Sequence, residues 1–136
     1  MGVLLFLDFV FCAFAEELNI AFFLAEQEYD TAKTVPAFFK SELKPLGFRA
    51  TYVTTTGEGD ERDDLKGVEE ALPKADLLFV SVRRRAPKAS QMKAICMWVK
   101  AGKPVVGIRT ASHAFHLRGK AALGGHALWE EWDTEV

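Results

Sequence analysis

Pro104-Val105-Val106-Gly107-Ile108-Arg109-Thr110-Ala111-Ser112-His113 decides the fold class. Pro104 to Ile108 is an apolar run without polar alternation, the pattern of a strand buried on both faces in a parallel α/β sheet. It stops abruptly in small and polar residues, the composition of a tight strand-to-helix turn. In open α/β sheets ligands bind beyond the carboxyl ends of the strands, so Arg109 to His113 is expected to face the functional crevice. A nucleophile elbow carries Ser or Cys at the tip of such a turn. Here the tip residue is Arg109.

Working outward, three earlier strands precede this one. Leu18 to Ala25 is the first, and Phe48 to Thr54, β-branched and aromatic, is the second. Asp76 introduces the third, Leu77 to Val82. Between the first two, Val35, Phe38, Phe39, Leu43 and Leu46 recur at helical spacing over Thr34 to Leu46, with Pro36 near the start and Gly47 after the end. Leu65, Val68 and Leu72 predict a short helix begun by Asp63 or Asp64. Met92, Ile95, Cys96 and Val99 predict a longer one after Pro87, ended by Gly102. Alternation of strand and helix with short loops predicts a flavodoxin-like, doubly wound parallel sheet with helices on both faces.

The chain has 136 residues, 49% hydrophobic and 26% charged, with a net charge of -2, values of one globular domain or part of one. The acidic balance gives no support for nucleic acid as a partner. Cys12 and Cys96 form neither a CxxC nor a zinc spacing, and Cys96 is expected to be a buried, inert thiol. Val3 to Phe14 is apolar and precedes Ala13-Phe14-Ala15, so residues 1–15 read as a signal peptide cut before Glu16, with a secreted or periplasmic location. Asp8 and the lack of Lys or Arg at the start leave the cytoplasm as the alternative. The run is too short to span a membrane. At the other end Trp129 to Val136 carries no stop signal, and the last strand reads as inner rather than edge. The domain, residues 16–136, is therefore expected to be truncated at its C-terminus.

Candidate chemistry gathers on the carboxyl rim. Arg83, Arg84 and Arg85 leave the third strand beside Arg109, and guanidiniums there would make an anion or polyol site. Alternatively, two of the three point to solvent or cap a helix. Glu26, Glu28, Tyr29 and Asp30 follow the first strand. One carboxylate can orient an arginine or act as a general base, or the loop simply starts the helix through Asp30 or Thr31. Glu28 and Tyr29 are preferred for their place near the strand end. His113 fits either a crevice role or a structural hydrogen bond. If a helix begins there, His116 shares its face and a metal could be held jointly, with His126, Asp133 or a residue beyond Val136 as third ligand. Gly124-Gly125-His126 lacks the context of a phosphate loop. Trp129 and Trp132 fit core packing better than sugar stacking.

Lys103 to His113 resembles the elbow of class I glutamine-amidotransferase-like domains, a strand followed by Gly-Ile-Cys-x-Gly. Arg109 stands where that pattern has its nucleophilic cysteine and Ala111 where it has the following glycine, so glutaminase activity is not implied. Within that superfamily the chain is similar to the ThuA-like (trehalose-utilisation) branch. The similarity lies in Glu28-Tyr29, Asp76-Leu77-Leu78 leading to Ser81-Val82-Arg83-Arg84-Arg85, Gly107 to Phe115, and Trp129 to Val136. The resemblance implies a flavodoxin-like sheet, a link to carbohydrate metabolism in bacterial, often exported proteins, and a domain that continues beyond Val136. It implies no settled reaction, and no cofactor is assigned. On this reading a sugar or glycoside is the partner. Glu28, Arg109 and His113 are the candidates for chemistry, and Tyr29, Arg83, Arg84, Arg85, Thr110 and Ser112 for holding substrate, with no metal assigned. A non-catalytic interaction module on an amidotransferase-like scaffold, and metal-assisted hydrolysis through His113 and His116, are the rival readings. The oligomeric state is left open.

Overall fold

The computed structural model describes residues 17–55 and 59–136, so the expected signal peptide, Cys12 included, and residues 56–58 lie outside the described residues. Four strands, β1 (Asn19–Ala25), β2 (Arg49–Thr54), β3 (Leu77–Val82) and β4 (Val105–Gly107), form one parallel sheet in the order β2-β1-β3-β4. This is the start of the flavodoxin-like order. Side chains alternate across each strand, so the sheet has two apolar faces. Ile20, Phe22 and Leu24 pack with Val35 and Phe39 on one face; Ala21, Phe23, Ala25, Leu78, Val80 and Val82 build the larger core on the other.

The smaller face is covered by α1 (Thr31–Phe38), which continues through a wide turn at Phe39–Leu43 and a tight one at Lys44–Leu46. The helix changes pitch ahead of Pro45, whose ring excludes the carbonyl four residues back. Gly47, at φ 86°, ends it as the sequence predicts. The larger face carries α2 (Val68–Ala71) and α3 (Ala89–Lys100). Contrary to the sequence reading, neither Asp63 nor Asp64 starts α2. Asp64 instead accepts hydrogen bonds from Lys88 Nζ (2.7 Å) and Gln91 Nε2 (2.6 Å), tying the approach to α2 onto α3. On α3 the buried face is Gln91, Met92, Ile95 and Trp98, while Cys96 is half-buried and burial pushes its thiol pKa up.

Two expectations for the opening stretch need correction. Among the described residues β4 pairs only with β3. Val105 packs on the larger core, but Val106 is 44% exposed, because its face lies beyond the cover of α1. The elbow leads into a single tight helical turn, Arg109–His113, and not a longer helix. His116 therefore falls past its end, and the shared helical face needed for a His113–His116 metal pair does not form. The chain then runs through left-handed Arg118 and Gly119 to α4 (Trp132–Glu135). Trp129 and Trp132 pack edge to face at 5.3 Å in the core, and Trp132 Nε1 donates to Ala111 O at 2.6 Å. No helix among the described residues is long and apolar enough to cross a membrane.

Candidate functional site

The parallel strands all end on one rim, which collects the loop after β1, the arginines after β3 and the elbow after β4. The loop after β1 is built by Glu26. This buried carboxylate accepts the N–H of Tyr29 at 2.8 Å, the N–H of Thr31 at 2.9 Å and the Thr31 hydroxyl at 2.6 Å, and Ser81 Oγ donates to Thr31 Oγ1 at 3.1 Å. Burial alone would raise the Glu26 pKa; the hydrogen bonds from Thr31, Tyr29 and Glu28 outweigh it and hold the carboxyl below its ordinary value. Asp30 caps the helix in the left-handed region at φ 53° through its backbone carbonyl, without a side-chain bond, and Glu26 supplies the side-chain acceptor for Thr31. The sequence reading, which favoured its neighbours, missed this structural role. The loop so held presents Glu28 and Tyr29 outward.

Glu28 Oε1 meets Arg83 Nη2 at 2.8 Å, and the Arg109 guanidinium lies over the Tyr29 ring, 4.4 Å from its centroid. These two contacts join the loop after β1 to the ends of β3 and β4. Arg109 reaches its place through a left-handed backbone, φ 53°, at the tip of the elbow. Gly107 permits the turn: a Cβ there would lie 2.8 Å from Ala111 Cβ. Ser112 is exposed, its hydroxyl 3.1 Å from His113 Nδ1. His113 is half-buried, and burial together with Arg84, Arg83, Arg118 and His116 lowers its pKa from 6.5.

The remaining sequence candidates divide. Thr110 is buried, and its hydroxyl donates to Val82 O at 3.2 Å, so it fixes the elbow to β3. Arg85 turns inward and is only 4% exposed. Its Nη1 lies 3.9 Å from Asp63 Oδ1, and burial followed by Arg62 lowers its pKa. The Asp63 pKa is raised by burial, against the charges of Arg62, Arg85 and His126. Arg84 has φ 51°, its N–H donates to His113 O at 3.2 Å, and its guanidinium pKa is lowered by desolvation and by Arg118 and Arg83.

Two cavities flank the Glu28–Arg83 and Tyr29–Arg109 contacts. A groove of about 320 Å³ along the outer edge of β4 includes Ile108, Arg109, Ser112, Trp132 and Asp133 in its wall. A second cavity, about 500 Å³, is lined by Arg62, Asp63, Arg83, Arg84, Arg118 and Lys120 among others. Arg62, Arg118 and Lys120 were not singled out from the sequence. The basic turn Leu117-Arg118-Gly119-Lys120 was the available signal. His126 is engaged elsewhere, donating from Nδ1 to Ala86 O at 2.6 Å, and the described residues contain no group of three His, Cys, Asp or Glu placed to hold a metal.

Fold and site together define a parallel α/β domain with a cation-rich crevice at its strand ends. Compared with protein-family models, curated proteins and solved structures, the chain has no match.

Proposed function

We propose that this domain is a ThuA-like carbohydrate-binding domain that takes a sugar or glycoside at the carboxyl rim of the sheet, without glutaminase activity. The observation that carries the reading is the stacking of Arg109 on Tyr29 beside the Glu28–Arg83 pair. Guanidinium groups offer planar forks of donors to hydroxyl oxygens, and an exposed tyrosine offers an apolar face to a sugar ring. Glu28, held by Arg83, is the carboxylate placed to accept from a hydroxyl. Ser112 and His113 add a hydroxyl and an imidazole beside the elbow. The tip residue is an arginine, so the elbow carries no thiol to act as a glutaminase nucleophile.

The test is thermal stabilisation of the full chain by trehalose and by other glycosides. The Arg109→Ala chain is expected to lose that stabilisation while remaining folded by far-UV circular dichroism. Equal stabilisation of both chains would overturn the assignment.

A further inference from the structure

The geometry points to an oxyanion site in the cavity bounded by Arg62, Asp63, Arg83, Arg84, Arg118 and Lys120, with the phosphate group of a phosphorylated carbohydrate as its ligand. Five cationic side chains face one carboxylate there, and that carboxylate already has Arg62 Nε at 3.6 Å and Arg85 Nη1 at 3.9 Å. Arg83 Nε, Arg84 Nε and Nη1 and Asp63 Oδ1 are shut off from solvent and have no hydrogen-bond partner among the described residues, donors outnumbering the one acceptor. Buried donors without acceptors are costly, most of all on a charged group. An oxyanion in the cavity would offset the charge of these guanidiniums and bond to the nitrogens that remain open to it, because its oxygens match the guanidinium fork.

Like charges repel, so gathering these guanidiniums without an anion opposes folding. Two of them are nonetheless set in place by left-handed backbone at non-glycine residues, Arg84 at φ 51° and Arg118 at φ 54°. Such conformations are uncommon outside glycine and persist where the surroundings impose them. A dianionic phosphate answers several positive charges at once, which a single carboxylate does not.

The choice of a sugar phosphate rests on the crevice reading given above. Arg83 belongs to both places: it lines the cavity, and its Nη2 holds Glu28 at the crevice. A ligand with its phosphate in the cavity would place its polyol portion against Glu28, Tyr29 and Arg109.

The experiment is calorimetric titration of the full chain with inorganic phosphate, glucose, glucose 6-phosphate and trehalose, at ionic strength matched with sodium chloride. Arg84→Asn and Arg118→Asn are the variants, since asparagine tolerates the left-handed region, with far-UV circular dichroism as the check on folding. Phosphate is expected to bind where chloride does not, and glucose 6-phosphate to bind at least about tenfold more tightly than glucose. Each variant is expected to weaken both anions by about tenfold or more, and Arg118→Asn to leave neutral-sugar binding unchanged. Phosphate binding no better than chloride, or equal binding by folded variants, overturns the site. Neutral sugar bound with no response to phosphate overturns the site and leaves the crevice reading standing. Phosphate bound with no sugar of either kind overturns the sugar phosphate as ligand, together with the crevice reading, and assigns the cavity to free phosphate.

Discussion

Gly107 has no room for a side chain, because a Cβ would stand 2.8 Å from that of Ala111 in the turn it enters. Gly107→Ala is expected to destabilise the domain by about 1–3 kcal/mol, the usual cost of overpacking, read as a lower urea midpoint. An unchanged midpoint would mean that the elbow yields freely. Glu26 is a second single-residue determinant. Its carboxyl pKa lies below the ordinary 4.5 in the folded chain, so its contribution is complete above the unfolded value and is lost as pH falls through the folded one. Glu26→Gln is expected to cost about 1–3 kcal/mol at neutral pH and to reduce the loss of stability on acidification below that range. A variant that acidifies along the parent curve would remove Glu26 from this role.

At the scale of elements, the joint between the approach to α2 and α3 depends on one amide. Gln91 Oε1 accepts the N–H groups of Leu65 (3.2 Å) and Lys88 (3.1 Å), and its Nε2 donates to Asp64 at 2.6 Å. Gln91→Ala leaves two backbone donors and a buried carboxylate short of partners, an expected loss of about 2–4 kcal/mol in chemical denaturation. Loss of under about 0.5 kcal/mol would show that water replaces the amide. Asp64 is held below its ordinary pKa, first by the Lys88 hydrogen bond and then, against burial, by Gln91, so the same joint weakens as pH falls through that lowered value. The elbow after β4 is an element of the same kind. Thr110 ties it to β3 and Trp132 to α4, and Arg109 is thereby left to reach Tyr29.

At the scale of the whole sheet, the described residues cover it well at its centre and leave it open at β4. Strand edges with unpaired backbone groups invite pairing with other chains, and lysine on the edge discourages it. Val106→Lys, at a position 44% exposed, is expected to change stability by less than about 0.5 kcal/mol and to slow self-association in light scattering. A large loss of stability would show that Val106 is covered in solution. The charge distribution is also a property of the whole. The chain is slightly acidic, yet the carboxyl rim gathers Arg62, Arg83, Arg84, Arg109 and Arg118 from four separate stretches.

The sequence by itself determined the strands, their parallel arrangement and the rim at which they end. Hydrophobic runs of strand length broken by helical spacing are local signals, and the bounds read from them fall within a residue or so of the observed strands. It also determined that an arginine stands at the tip of the elbow. Tertiary structure alone decided which arginine turns in and which faces out. Arg83, Arg84 and Arg85 are neighbours in composition and sequence, but Arg85 turns inward toward Asp63, while Arg83 and Arg84 line one cavity and Arg83 also reaches Glu28. It alone made Glu26, rather than the Asp30 side chain, the acceptor for the first residue of α1, and Asp64 a partner of Lys88 and Gln91, 24 and 27 residues away. It alone brought Arg62 and Arg118 to one cavity. Those placements depend on contacts between residues far apart in the chain, and such contacts leave no periodicity in the sequence between them.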